Sequence, residues 1–427
     1  MGLFEIIAWL LGVTFILGFL NYRYLRLPQT IGIMLIAMVT SLFLVFLNHL
    51  GLGSVGGFAS RLFNEIDFNK TLMVGMLGFL LFAGALDLDI SDLNEKKVEV
   101  AVFSVFSTIL SMIIVGNLIF YLFNHLGLEI SFLYALLFGA LISPTDPVAV
   151  LSILKEAKAP KSLETKIVGE SLFNDGVGVV LFLGIYSAIA RGTGISLANF
   201  SWLFISESLG GLALGLLLGF LAFIILKKIN NYQLEIIGTI ALVMIVYSLA
   251  LHLNMSGPIA IVAAGLLIGN KGRKFAMTEE TRQHLYSFWH LADAILNFIL
   301  FMLIGLEAAI LKFSWPYLLA GLVAIPTVLF ARYVSIALPV GMMKLFRRPF
   351  TRRVVNIMTW GGLRGGISVA LVMSLPKGNE REILLVATYV IVIFSMAVQG
   401  LTIRSFVEEQ LTAPSMFDRF KFLFKKE

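Results

Sequence analysis

The sequence predicts an all-α polytopic membrane protein with thirteen transmembrane helices. These form two inverted six-helix repeats, spans 1–6 and spans 8–13, with interrupted helices at spans 5 and 12. Three observations carry this expectation: bulk apolarity, a ladder of apolar runs of bilayer length, and a one-sided distribution of basic loop residues. The chain has 427 residues, 59% hydrophobic and only 14% charged, with a mean hydropathy of +0.93. An average soluble domain carries about 25% charged residues. A soluble chain of this length could not hide so much apolar surface, whereas a bilayer solvates it directly.

Crossing the hydrocarbon core takes about 20 apolar residues in a helix. The expected spans are residues 3–21, 31–49, 71–87, 98–123, 131–153, 165–190, 206–226, 234–252, 256–270, 287–311, 315–341, 353–375 and 382–405. The first run contains Glu5 and lacks a basic leader, so it reads as a span and not as a removed signal peptide. The uncharged stretch from Ile236 to Asn270 is too long for one span. The turn signal Asn254-Met255-Ser256-Gly257-Pro258 divides it. Residues 406–427 read as a short cytoplasmic tail.

With the N-terminus outside, most of the 32 basic residues fall on inward segments. Among them are Arg23, Arg26, Lys96, Lys97, Lys155, Lys158, Lys161, Lys166, Lys227, Lys228, Lys271, Arg273, Lys274, Arg282, Arg347, Arg348 and the tail residues Arg419–Lys426. Outward segments hold Arg61, Lys70, Arg191, Lys312, Lys377 and Arg381. This asymmetry obeys the positive-inside rule and sets the topology N-out, C-in. It also accounts for the net charge of +6 without nucleic acid as a partner. No cysteine is present, which excludes disulfides and thiol chemistry. His49, His125, His252, His284 and His290 form no metal-ligand pair at helical spacing; they read as interfacial polar residues, with pH sensing by His284 or His290 as the alternative.

Ionisable groups at membrane depth are costly unless they are paired or hydrated. In span 5, Ser143-Pro144-Thr145-Asp146-Pro147 removes two backbone donors and breaks the helix. Broken backbone at that depth must be enclosed by protein or water, and its half-helix ends suit ion binding. In span 6, Ser171 and Asp175 stand at i and i+4 on one face, with Asn174 beside them. Glu170 points away from Asp175. Hard oxygen ligands without sulfur or imidazole suit an alkali cation or a proton. In span 12, Gly361-Gly362-Leu363-Arg364-Gly365-Gly366 interrupts a helix and admits close approach. Arg364 needs a carboxylate, and Glu170 is the expected partner in a structural ion pair. Glu307 and Arg332 read as supporting residues around the site that pair with each other or reach the interface. Interrupted helices seven spans apart lie in opposite orientations, the pointer to a transporter site at the midplane.

The motifs Ser143-Pro144-Thr145-Asp146-Pro147-Val148, Glu170-Ser171-Leu172-Phe173-Asn174-Asp175-Gly176 and Gly361–Gly366 resemble signatures of the monovalent cation:proton antiporters. They are similar to the CPA1 branch, which includes the prokaryotic NhaP-type sodium/proton antiporters and the animal sodium/proton exchangers. The resemblance implies that Asp175 exchanges proton and cation, with sodium held by Asp175, Asp146, Ser171 and the Thr145 carbonyl, and with Asn174 completing the coordination. It implies electroneutral exchange of sodium or lithium for protons and a Glu170–Arg364 ion pair. It also implies a homodimer in a prokaryotic cell membrane. Interface helices would be residues 1–97 and 234–311, a mobile core residues 98–190 and 315–405, and a linking helix residues 206–226. Ala83 stands where many relatives carry an acidic residue, so the role of that carboxylate does not transfer.

No cofactor is expected; the ligands are the transported ions, and the partners are lipid and a second copy. Potassium is the alternative cation. An intramembrane aspartyl protease also uses two aspartates, but it would want Gly-x-Gly-Asp where this chain has Phe173-Asn174 before Asp175. A cation channel could use the same oxygens and would show conductance.

Overall fold

The computed structural model describes residues 2–49, 71–147, 150–151, 154, 159–192, 197–308, 311, 314–345 and 352–412. Several sequence expectations lie outside the described residues: the loop charges Arg61, Lys70, Lys155, Lys158, Lys312, Arg347 and Arg348, the tail from residue 413, and parts of residues 148–158 in and after the fifth span. The described chain is helical, and its only strand-like pairing is a single bridge between Asp146 and Leu363. Nine helices among the described residues are long and apolar enough to cross a membrane. Shorter apolar helices stand beside them, and the two expected interrupted spans are among the short segments.

Helix α1 (Leu3–Leu20) continues through a π-helical turn to Leu25 and hands over to α2 (Gln29–His49). The Asn21 side chain closes that turn, donating to the Leu27 carbonyl at 2.9 Å and accepting from its amide at 3.3 Å. The third expected span is a π-helical stretch Thr71–Met76 followed by α3 (Leu77–Asp87). Asp89 caps α4 (Ile90–Ala101), which runs through Val102–Phe106 into α5 (Ser107–His125). α6 (Phe132–Ile142) stops at the first proline motif, and α7 (Lys161–Arg191) is a 31-residue helix closed by Gly192 at φ 63°.

α8 (Leu197–Leu226) turns Trp202, Leu209 and Leu217 outward, as α1 does with Phe4 and Phe15. Apolar faces of that extent belong against lipid or another protein surface. α9 (Tyr232–His252) ends before Asn254, a non-glycine residue at φ 53°. The Ser256 hydroxyl then accepts from the Ile259 amide and starts α10 (Gly257–Leu267). The polar cluster therefore does divide the long uncharged stretch, because Asn and Gly-Pro tolerate the backbone that a turn requires.

α11 (Glu279–Glu307) packs along α2, where the Ser41 hydroxyl donates to the Leu306 carbonyl at 2.8 Å. α12 (Trp315–Leu345) carries Pro326 and Pro339 inside it. α13 (Arg352–Trp360) and α14 (Gly366–Met373) flank an unwound glycine segment. α15 (Asn379–Phe394) continues through Ser395–Gln399 into α16 (Gly400–Thr412). The two unwound segments cross: the Asp146 amide donates to the Leu363 carbonyl at 2.8 Å. The bond pairs a donor freed by one break with an acceptor freed by the other, as backbone at membrane depth requires.

Candidate functional site

Asp175 sits mid-way along α7, only 8% exposed, and faces a cavity of about 340 Å³. None of the hydrogen bonds or ion pairs among the described residues involves its carboxylate. Thr145, Asp146 and Ser171 line the same cavity. The predicted ion-binding residues therefore converge, with Asn174 the exception. Asn174 is fully buried and binds Thr145 from both ends of its amide, donating to the Thr145 hydroxyl at 3.0 Å and accepting from the Thr145 amide at 3.3 Å. It clamps the unwound segment and offers the cavity nothing. The Ser171 hydroxyl donates to the Thr145 carbonyl. Hydroxyl and carbonyl each keep a lone pair for a cation.

Asp146 occupies the crossover of the broken spans, beside the start of α14. Any Cβ on Gly365 would lie 2.9 Å from the Asp146 Cβ and 3.0 Å from its Cγ. The glycine thus lets the carboxylate approach the N-terminal end of the half-helix, where the helix dipole favours negative charge. A negative Asp146 next to Asp175 makes a cation or a proton in the cavity favourable.

The expected Glu170–Arg364 pair is not formed. Glu170 faces away from Asp175, as its helical position requires, and meets Arg332 of α12 in a two-point pair, one arm at 3.0 Å. Arg332 also donates to the Met358 carbonyl at 3.3 Å. Arg364 instead donates to the carbonyls of Ser143 at 2.5 Å and Pro144 at 2.8 Å. Those oxygens end α6 without helical partners, because the prolines stop the helix, and a guanidinium suits the negative end of a half-helix. Its backbone amide is held by the Ser395 hydroxyl at 2.9 Å. Glu307 and Arg332 do not pair either: Glu307 ends α11 at a separate cavity.

Residues 286–300 of α11 hold groups that sequence reading missed. Asp293, His290 and Asn297 line the Asp175 cavity. The Asn297 amide donates to the Asp293 carboxylate at 3.1 Å. His290 Nε2 stands 3.5 Å from Asp87, which also lines the cavity. The readable signal was Tyr286, His290, Asp293, Asn297 and Leu300, spaced four, three, four and three residues apart on one helical face. Among the described residues, the cavity lining holds Asp87, Asp146, Asp175 and Asp293 and no lysine or arginine. The carboxylates are spread along it: among the described residues no three His, Asp or Glu side chains gather closely enough to hold one metal ion. Ala83 lines the same space without a charge.

Residues 11–409 match the family described as sodium/hydrogen exchanger, transmembrane. The chain is 43% identical over 402 residues to the Na(+)/H(+) antiporter NhaP of Pseudomonas aeruginosa, covering 93% of this chain and 95% of that one. It is 32% identical over 349 residues to the Na(+)/H(+) antiporter NhaH of Halobacillus aidingensis, covering 80% and 83%. Its fold is similar to the structure of the sodium proton antiporter MjNhaP1 from Methanocaldococcus jannaschii at pH 8, with a TM-score of 0.73 at 17% identity, over 96% of this chain and 100% of that chain.

Proposed function

The chain belongs to the sodium/hydrogen exchanger family, as an NhaP-type member of the CPA1 antiporters, and from that premise we propose that it exchanges sodium for protons in competition at Asp175. Members of this family are multi-pass membrane transporters and not enzymes, so the protease reading falls away. The observation that carries the proposal is a buried carboxylate, without a hydrogen-bond or ion-pair partner among the described residues, facing a cavity whose described lining holds four aspartates and no lysine or arginine. Such a group needs a counter-ion or a proton. Asp146, Ser171 and the Thr145 carbonyl supply further oxygens. Carboxylate, hydroxyl and carbonyl oxygens are hard ligands that suit an alkali cation, lithium as well as sodium.

Exchange follows if the core crosses the membrane only with Asp175 neutralised. One cation then leaves for each proton that enters, with no net charge moved. Spans 4–6 and 11–13 would form that core. Three polar links join parts of it: Glu170 to Arg332, Asp146 to Leu363, and Arg364 to Ser395. The helices α1–α3 and α9–α11 would hold the interface of a homodimer, and α8 would link the halves. The loop charges and broken helices support the thirteen-span inverted repeat and the N-out topology, and the bacterial NhaP relative supports a prokaryotic cell membrane.

The test uses proteoliposomes with an imposed pH gradient, comparing sodium, lithium and potassium with and without membrane voltage. Wild-type protein should exchange sodium at a rate that voltage does not change, and Asp175→Asn should abolish the flux. Exchange retained by Asp175→Asn would sink the mechanism.

A further inference from the structure

A second cavity, of about 280 Å³, lies in series with the Asp175 cavity along the same two helices. On α11, Asn297 and Leu300 line the first cavity and Glu307 lines the second. On α14, Gly366 and Ser368 line the first and Met373 the second. Leu300 to Glu307 is a seven-residue step of about 10 Å, and Ser368 to Met373 a five-residue step of about 7.5 Å, at a rise of 1.5 Å per residue. The residues between, Phe301–Ile304 on α11 and Val369–Val372 on α14, are buried and apolar. They form a seal about one helical turn thick. The two cavities therefore lie at successive levels along α11 and α14, one on each side of the seal.

The second cavity contains polar groups that packing does not explain. Glu307 is 6% exposed, and none of the hydrogen bonds or ion pairs among the described residues involves its carboxylate. It stands at the C-terminal end of α11, where the helix dipole repels negative charge. Tyr389 is 1% exposed, and its hydroxyl has no partner among the described residues. Arg381 does not close on Glu307; it reaches the Met373 carbonyl at 3.4 Å, and its Nε is unpartnered among the described residues. Lys377 and Glu382 complete the polar lining. A buried carboxylate with a facing hydroxyl and no protein partner is costly unless something mobile visits it.

We propose that the Glu307–Tyr389 cavity is a second monovalent-cation site, the station through which Asp175 reaches the opposite face of the membrane. This rests on the exchange proposed above. Glu307 takes a sodium ion or a proton, and Tyr389 supplies a neutral oxygen. Arg381 competes for Glu307, so occupancy is brief, as a transit site requires. Movement of α14 would carry Met373 away from Arg381 and thin the apolar seal.

The chain contains no cysteine, so a single introduced thiol reports without background. In vesicles of known orientation, Met373→Cys should react with a membrane-impermeant maleimide only from the face opposite the Asp175 cavity, at a rate that sodium changes relative to choline. Glu307→Gln should raise the sodium KM on that face by roughly tenfold or more, as loss of a charged ligand does. It should leave the KM on the other face unchanged, and Glu307→Asp should recover part of the effect. The proposal is overturned if Met373→Cys reacts from both faces or neither, or is indifferent to sodium. Equal KM values for Glu307→Gln and wild type on both faces overturn it too, with Asp175 exchange left standing. The thiol measurement keeps Glu307 intact and so does not depend on that variant folding. A wild-type protein that exchanges no sodium refutes both readings together.

Discussion

The buried pair of Glu170 and Arg332 gives the sharpest energetic test. Arg332→Met keeps the side-chain length and removes the guanidinium from a carboxylate that is 1% exposed. Breaking one side of a buried pair costs about 3–5 kcal/mol, since it strands a charge away from water. At 1.4 kcal/mol per tenfold, the unfolding equilibrium shifts by roughly two to three powers of ten or slightly more. Loss of the bond to the Met358 carbonyl adds about 1 kcal/mol. Glu170→Met combined with Arg332→Met removes both charges and should recover most of the loss, because an apolar pair of similar volume is often neutral. The assay is a double-mutant cycle on unfolding in mixed detergent micelles. Coupling between Glu170 and Arg332 should exceed about 2 kcal/mol and should be larger than coupling between Glu170 and Arg364. Additivity within about 0.5 kcal/mol for Glu170 and Arg332, or stronger coupling to Arg364, would refute the assignment.

Asn174→Ala removes both bonds to Thr145 and leaves a buried amide unsatisfied; stability should fall by about 2 kcal/mol, with faster hydrogen exchange at residues 143–147. Gly365→Ala adds a methyl against Asp146 at a backbone φ of −126°, which alanine tolerates, so the effect is one of space. The expected result is a folded protein with a raised sodium KM; an unchanged KM would separate Asp146 from the cation. Asp89 caps α4 by accepting from the Ser91 amide at 2.7 Å, and that bond holds its carboxyl below the ordinary carboxylate range. A carboxyl lowered on folding stabilises at pH above its unfolded value near 3.9 and loses that contribution as pH falls through the folded value. Asp89→Ala should cost about 1 kcal/mol at neutral pH and less in acid, where the ionic part of the cap is lost, whereas Asp89→Asn should keep most of the cap; unfolding midpoints at pH 7 and pH 3 decide.

The break positions were legible because proline and glycine act locally. Pro144 and Pro147 cannot continue a helix, and the glycines around Arg364 do not hold one; both spans unwind where the residues say they should. Asp175 and Ser171 were legible because i and i+4 share a face whatever surrounds them. The partner of Arg364 was not. Choosing between Glu170 and the carbonyls of Ser143 and Pro144 depends on how α7, α12 and the crossover are turned against one another. Asp293 was missed for a related reason: near the start of a predicted span a carboxylate reads as interfacial, and only the packing of α11 against α3 and the broken helices lines it up along the Asp175 cavity.

The sequence by itself determined a helical membrane chain with two broken spans and a carboxylate in the wrong solvent, because apolarity, helix breaking and helical periodicity are properties of neighbouring residues. Only the tertiary structure decided which charges meet, which of Asn174 and Ser171 faces the cavity, and that Glu307 belongs to a second chamber beyond an apolar seal. Those outcomes turn on contacts between different helices, from 26 to more than 200 positions apart in the chain, where a rotation of one helix by a single residue exchanges one partner for another.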